Sequence, residues 1–196
     1  MNRHQLWIAA AAAAVLLVSG LFFFLREPGK EDSDGLGEGV TPVDETALPA
    51  LEESFTANLY FPDGGVRLHP ESRELPAKDS AEEQIAVLIE ALLAGPRDDR
   101  LLAPLPGEII LSKVYLIDGV TVFLDLGSPN GEPPPASGSQ RELLTVYSLV
   151  NTVLLNTEGP ERVVLLWNGR QPPTFAGHLN TARPLAVNSS LIASSP

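Results

Sequence analysis

Ile109–Leu126 reads I-I-L-S-K-V-Y-L-I-D-G-V-T-V-F-L-D-L, two apolar runs joined by Asp118-Gly119. Both positions of an Asp-Gly pair tolerate positive φ, so a two-residue type I′ hairpin turn fits between strands Ile109–Ile117 and Val120–Leu126. In the second strand Val120, Val122, Leu124 and Leu126 alternate with Thr121, Phe123 and Asp125, so the even positions face a core. With a two-residue turn Lys113 lies opposite Leu124 on that core face; either the loop is longer or Lys113 sits at the sheet margin. In the same register Phe123, Val114 and Leu116 form an outer face. The N-terminal hairpin or the C-terminal segment is expected to cover it; otherwise it is a candidate contact surface.

Upstream, Ser80–Ala94 has the marks of a helix. Ser80 and Glu83 are spaced as a capping box, the hydroxyl accepting from the third residue's amide while the carboxylate reaches back. Ile85, Leu88, Ile89 and Leu92 repeat on one face, and Gly95-Pro96 stops the helix. Before it, Ala57–Phe61 and Val66–His69 read as two short strands around Pro62-Asp63-Gly64-Gly65.

Downstream, Ser128–Ser139 is a Pro- and Gly-rich loop. Ser139 with Glu142 repeats the capping box and opens a helix to about Asn156. Its polar residues Arg141, Thr145, Ser148, Thr152 and Asn156 form one narrow stripe, so most of its circumference must be covered. Arg162–Trp167 is continuously apolar, which suits a central strand, and Asn168-Gly169 turns. The pattern predicts an α+β two-layer sandwich over 55–187, in the order β(β)αββαβ. Two helices pack on one face of a mixed or antiparallel sheet, and 188–196 is a frayed, disordered tail.

The flanks explain the composition. The chain has 196 residues, a net charge of −12, 44% apolar residues and no cysteine. The missing cysteine removes disulfide frameworks, thiolate metal sites and cysteine nucleophiles, and the acidity argues against nucleic-acid binding. After a short flank, 1–5, Leu6–Leu25 is a 20-residue run with 18 apolar residues and no charge. At ~1.5 Å per residue it spans roughly 30 Å, a bilayer core. Arg3 and Arg26 flank it, and Trp7 lies near one interface. It is too long for a signal peptide and ends in Phe22-Phe23-Phe24-Leu25, which is poor for cleavage, so an uncleaved anchor is expected. The acidic segment 26–54 follows; nine acids and one base fall within Glu27–Ser54, with scattered Gly and Pro, and a disordered linker is expected. Gly35, Gly37 and Gly39 have neither the strand nor the helix that a phosphate loop requires. Basic residues near the two ends of the anchor almost balance, so charge alone does not orient it.

Chemistry-bearing motifs are sparse. None of His4, His69 and His178 has a partner at metal-ligand spacing, and no serine-nucleophile motif occurs. Asp98-Asp99 between Arg97 and Arg100 reads as a solvated loop. Asn188-Ser189-Ser190 matches a glycosylation acceptor, a pattern common by chance. A cell-wall glycan enzyme or binder would need Asp63, Asp125 and His178 to converge in a cleft. Otherwise no catalytic residue, metal, cofactor or small-molecule ligand is expected.

In this order, several segments resemble the GerMN domain, the spore-germination-type module of bacterial envelope proteins. They are Leu59-Tyr60-Phe61, Arg73 within Glu71–Pro76, Leu92-Leu93-Ala94-Gly95-Pro96 and Pro104–Glu108. Asp118-Gly119, Val122–Leu126, Gly169, Gly177-His178 and Thr181–Leu185 complete the set, from about Asn58 to Leu185. The resemblance implies a non-enzymatic module on the outer side of a bacterial cytoplasmic membrane, with the N-terminus inside. It also implies an envelope-protein partner or self-association, as in the ring-building folds of sporulation machinery. Gly95-Pro96 and Asp118-Gly119 carry backbone geometry, not sites. Some members hold two such domains, and this chain has room for one. The lipid bilayer is the remaining partner, through Leu6–Leu25; a cytoplasm-facing tether is the third alternative.

Overall fold

A computed structural model describes residues 53–194. The flank 1–5, the expected anchor Leu6–Leu25 and nearly all of the expected linker lie outside the described residues. Among the described residues no helix is long and apolar enough to cross a membrane. The elements are β1 (Ser54–Pro62), β2 (Leu68–Pro76), α1 (Ala81–Leu93), β3 (Ile110–Ile117), β4 (Thr121–Gly127), α2 (Ser139–Leu154), β5 (Arg162–Trp167) and a 3₁₀ turn, Ser189–Leu191. The fold is α+β, but the strands form two sheets rather than the single sheet expected. β1 and β2 pair alone, and β3-β4-β5 form a mixed sheet with β4 in the middle.

β4 carries the expected alternation: Val122, Leu124 and Leu126 are fully buried. The hairpin register differs. Asp118 (φ 54°) and Gly119 (φ 69°) do turn left-handed, yet Ile117 pairs with Thr121, so the loop has a third residue, Val120. The cause is across the sheet. Val120 N still donates to Ile117 O (3.1 Å), closing the Asp118-Gly119 turn, but its carbonyl accepts from Glu161 N (2.8 Å) and Arg162 N (3.2 Å) at the start of β5, so the ladder with β3 begins one residue later. Lys113 therefore faces Asp125, not Leu124, and a register shift between Leu111 and Lys113 absorbs the extra residue. Val114 and Leu116, expected on the outer face, turn inward against the core instead, opposite Leu124 and Val122.

β5 is not central. It runs parallel to β4 at the sheet edge, and its free side is closed by reciprocal bonds between Val163 and Leu185, both 2.8 Å. The closure accounts for its continuous burial from Val163 to Leu165. The β1–β2 hairpin is longer than expected, nine residues a side, and it packs Ala57, Leu59 and Phe61 into the helix-side core.

α1 begins as expected: Ser80 Oγ accepts from Glu83 N at 3.2 Å, and Ile85, Leu88, Ile89 and Leu92 are buried. In α2 the polar stripe is not a wet face. Thr145 Oγ1 donates to Pro104 O (2.6 Å), Ser148 Oγ donates to Tyr60 O, and Thr152 Oγ1 accepts from Tyr60 N (3.1 Å). Just beyond the helix, Asn156 accepts from Asn58 N and donates to Asn58 O, both at 2.8 Å. The stripe thus replaces the neighbouring strand that β1 lacks, because buried backbone groups must find partners. The chain end also differs from a frayed tail. Asn188 exchanges bonds with the Asn151 amide (3.0 and 3.1 Å), Ala193 N donates to Leu68 O (2.8 Å), and Ile192 packs on a small cluster of Tyr60, Leu68 and Leu144.

Thr152→Val removes the acceptor for a buried amide while keeping the side chain's shape. A loss of about 1–3 kcal/mol is expected in chemical denaturation, against about 1 kcal/mol for Ser80→Ala at the exposed cap.

Candidate functional site

The chemistry-bearing side chains fall into three separate clusters. The first seals the end of α1. Gly95 takes φ 90°, which turns the chain out of the helix and leaves the last carbonyls without partners. Arg73, 7% exposed, reaches them from β2: Nη1 donates to Ala91 O (2.9 Å) and Nη2 to Gly95 O (2.6 Å). Its Nε donates to Glu71 Oε1 at 2.8 Å, and the guanidinium lies 5.3 Å from the centroid of Phe61. The second Glu71 oxygen accepts from Arg97 N (2.9 Å) and Asp98 N (3.2 Å). Burial pushes the Glu71 carboxyl up. The Arg73 bonds, the two amides and the Arg73 charge outweigh that, so the carboxyl sits below its ordinary value. A cation at a helix C-terminus also meets the negative end of its dipole.

The second cluster centres on Glu142. Its spacing from Ser139 suggested a capping box, but the N-cap is Gly138, which has no side chain to cap with. Glu142 instead points inward and is fully buried. Oε1 accepts from Ala176 N (2.7 Å) and Leu179 N (3.0 Å); Oε2 accepts from His178 N (2.7 Å) and meets His178 Nδ1 at 2.9 Å. Burial raises the carboxyl, yet the three amides and the imidazole outweigh it and leave it lowered. One carboxylate thus holds a loop that has no sheet or helix of its own.

The third cluster is the β1–β2 turn. Asp63 Oδ1 accepts from Gly65 N (2.9 Å) and Arg67 N (3.1 Å), and Oδ2 faces His69 Nε2 at 3.3 Å.

Asp63, Asp125 and His178 do not share a hydrogen-bond network. Asp63 belongs to the turn, His178 to Glu142, and Asp125 accepts from Gly169 N (2.8 Å) beside the Asn168-Gly169 turn. Asp98 is paired with Arg100 on the exposed loop and is lowered to about 2 by those bonds. Among the described residues no group of three or more His, Asp and Glu is placed to hold a metal ion. Arg73 and Glu142 are the residues whose roles the spacing concealed. Only the recurrence of Arg73 with Leu92–Pro96 pointed toward the first.

What stays open is a surface. The hairpin expected over the outer face of β3-β4-β5 packs on the helix side, and the C-terminal segment runs along the edge of β5. Tyr115 and Ile117 are consequently 40% and 49% exposed, Phe123 half-buried between them and β5. Lys113 lies 4.9 Å from the Tyr115 ring centroid.

Residues 58–172 match the family model described as Germane: Sporulation and spore germination. Among solved structures, the first GerMN domain of the sporulation protein GerM from Bacillus subtilis is 17% identical with TM-score 0.50, covering 69% of this chain and 98% of that one. The tandem GerMN domains of the same protein are 17% identical with TM-score 0.51, covering 68% of this chain and 46% of that one, so this chain spans about half of the tandem. A candidate lipoprotein of Clostridium perfringens is 19% identical with TM-score 0.49, covering 73% and 95%. No curated protein matches the sequence.

Glu142→Gln puts an amide N–H₂ against backbone donors and is expected to cost about 2–3 kcal/mol at pH 7. The carboxyls of Glu71 and Glu142 are lowered in the folded state, so their contribution is full above the ordinary carboxylate range. It is lost as pH falls through their folded values. Thermal melts of the native chain are expected to drop steeply below about pH 4, and Glu142→Gln to flatten that slope.

Proposed function

Because this chain belongs to the Germane family of sporulation and spore germination domains, we propose that it is a protein-interaction module of a bacterial envelope. Leu6–Leu25 anchors it in the cytoplasmic membrane, the N-terminus stays inside, and the domain stands outside on the acidic linker. Its work is binding rather than catalysis. One observation carries this reading: the buried acid and base groups in the described domain are committed to backbone. Glu142 and Arg73 hold loops and a helix end, and Asp125 holds a turn. Partner contact falls to the part of the outer sheet face around Tyr115, Ile117 and Phe123, on β3 and its neighbour β4. The relatives named for the sporulation protein GerM support a place in spore formation or envelope assembly. The uncharged apolar run Leu6–Leu25, long enough for a bilayer core, supports attachment through that segment.

A C-terminal alkaline phosphatase fusion, which is active only outside the cytoplasm, is expected to be active, and a fluorescent fusion that matures only inside is expected to be dark. The opposite pattern would make the protein a cytoplasm-facing tether.

A further inference from the structure

A sheet edge is a row of unpaired N–H and C=O groups, and folded proteins close or blunt such rows. Two sheets give four outer edges here. Side chains of α2 and the residues just after it bond the edge of β1 at Asn58 and Tyr60. The edge of β2 carries Pro70 and Pro76, which have no N–H, and Leu68 O is taken by Ala193 N. The edge of β5 is paired with Leu185. β3 differs: among the described residues, no hydrogen bond reaches Ile110–Leu116 from any element but β4.

α1 packs against β3 on the inward side, yet the strand stays more exposed than its neighbour β4. Inward, Val114 and Leu116 remain half-buried while their β4 partners Leu124 and Val122 are completely buried. Outward, Tyr115 and Ile117 are exposed. The charge distribution is also distinctive. In a chain of net charge −12, Ile110–Ile117 holds one lysine and no acid, whereas the exposed residues of β2 and α1 include Glu74, Glu83 and Glu90. Two acidic copies meet with least repulsion along β3.

We propose that the open edge of β3 pairs antiparallel with β3 of a second copy of this chain, about a two-fold axis at Tyr115. The inference names the partner for the interaction reading above and rests on it. In this register Tyr115 faces Tyr115, Val114 faces Leu116, and Lys113 faces Ile117. Inward residues meet inward residues and outward meet outward. The pairing stays within residues 113–117, clear of the register shift at Leu111/Lys113. The two lysines lie four positions apart along the pair, roughly 13 Å at ~3.3 Å per residue, which exceeds the ~8 Å screening length of physiological salt. Each copy contributes the same patch, so the contact closes on itself as a dimer.

The chain has no cysteine, so Tyr115→Cys reports the pairing directly. In the full chain held in detergent micelles, mild oxidation is expected to link the two introduced thiols at least ~10-fold faster than in the control Glu90→Cys at an exposed position of α1, because pairing raises the local thiol concentration. Tyr115→Glu sets two carboxylates face to face across the seam and is expected to weaken the dimer by about 10-fold or more in sedimentation equilibrium. Its circular dichroism should match that of the native chain. Equal crosslinking rates, a native chain that stays monomeric at all concentrations, or a dimer indifferent to Tyr115→Glu would each overturn the pairing. The reporter fusions above read the envelope role separately, and an active phosphatase fusion beside a monomeric chain would leave that role standing.

Discussion

The domain depends on α2 supplying hydrogen bonds to backbone that has no regular partner. A mostly apolar helix packed on nearly every side has few places to put polar atoms. Those it has are aimed at amides and carbonyls of other segments. Glu142 holds 176–179, Arg141 and Thr145 hold 103–104, Ser148 and Thr152 hold Tyr60, and Asn151 holds Asn188. Each bond adds only about 1 kcal/mol net, but breaking one strands a buried group at about 1–3 kcal/mol. The helix therefore fixes where the hairpin, the proline-containing connection and the C-terminal loop can lie. Arg73 does for the end of α1 what Glu142 does for the loop, with the opposite charge.

That economy bears on function. A carboxylate and an imidazole 2.9 Å apart have the ingredients of acid–base chemistry. Here the same carboxylate is saturated by three amides, which ties it to its ionised form and to one geometry. Glu71 is likewise filled by a guanidinium and two amides. Groups so fully engaged suit architecture. Among the described residues the β3 edge and the surface around Tyr115 are left unengaged, in a domain whose family is named for sporulation and spore germination.

The elements with strong local signals were legible in the sequence. The capping of α1 by Ser80, the alternation along β4 and the two X-Gly turns all depend on neighbours in the chain. What escaped depends on distant ones. The third residue in the β3–β4 loop arises because Val120 is claimed by residues 161 and 162. β5 looked central because Leu185, from a segment with no strand pattern, closes its edge. Glu142 sits at capping spacing from Ser139, and nothing local distinguishes a carboxylate that reaches back from one that turns inward. The α2 stripe was visible as a pattern; its spacing of polar residues marked a face, but only the position of β1 revealed that the face meets backbone.

The closure of β1 by α2 also has a consequence for how the chain is made. Tyr60 and Thr152 are 92 residues apart, and Asn58 and Asn156 are 98. A chain that emerges N-terminus first presents the β1–β2 hairpin long before its covering helix exists. At ~5–20 residues per second the gap is roughly 5–20 s. During that interval the hairpin is a two-stranded ribbon, marginal by itself, with an open edge on β1. Pro62, Pro70 and Pro76 and the glutamates of β2 act as gatekeepers of the ribbon, shielding the nascent chain from wrong strand pairing until α2 arrives.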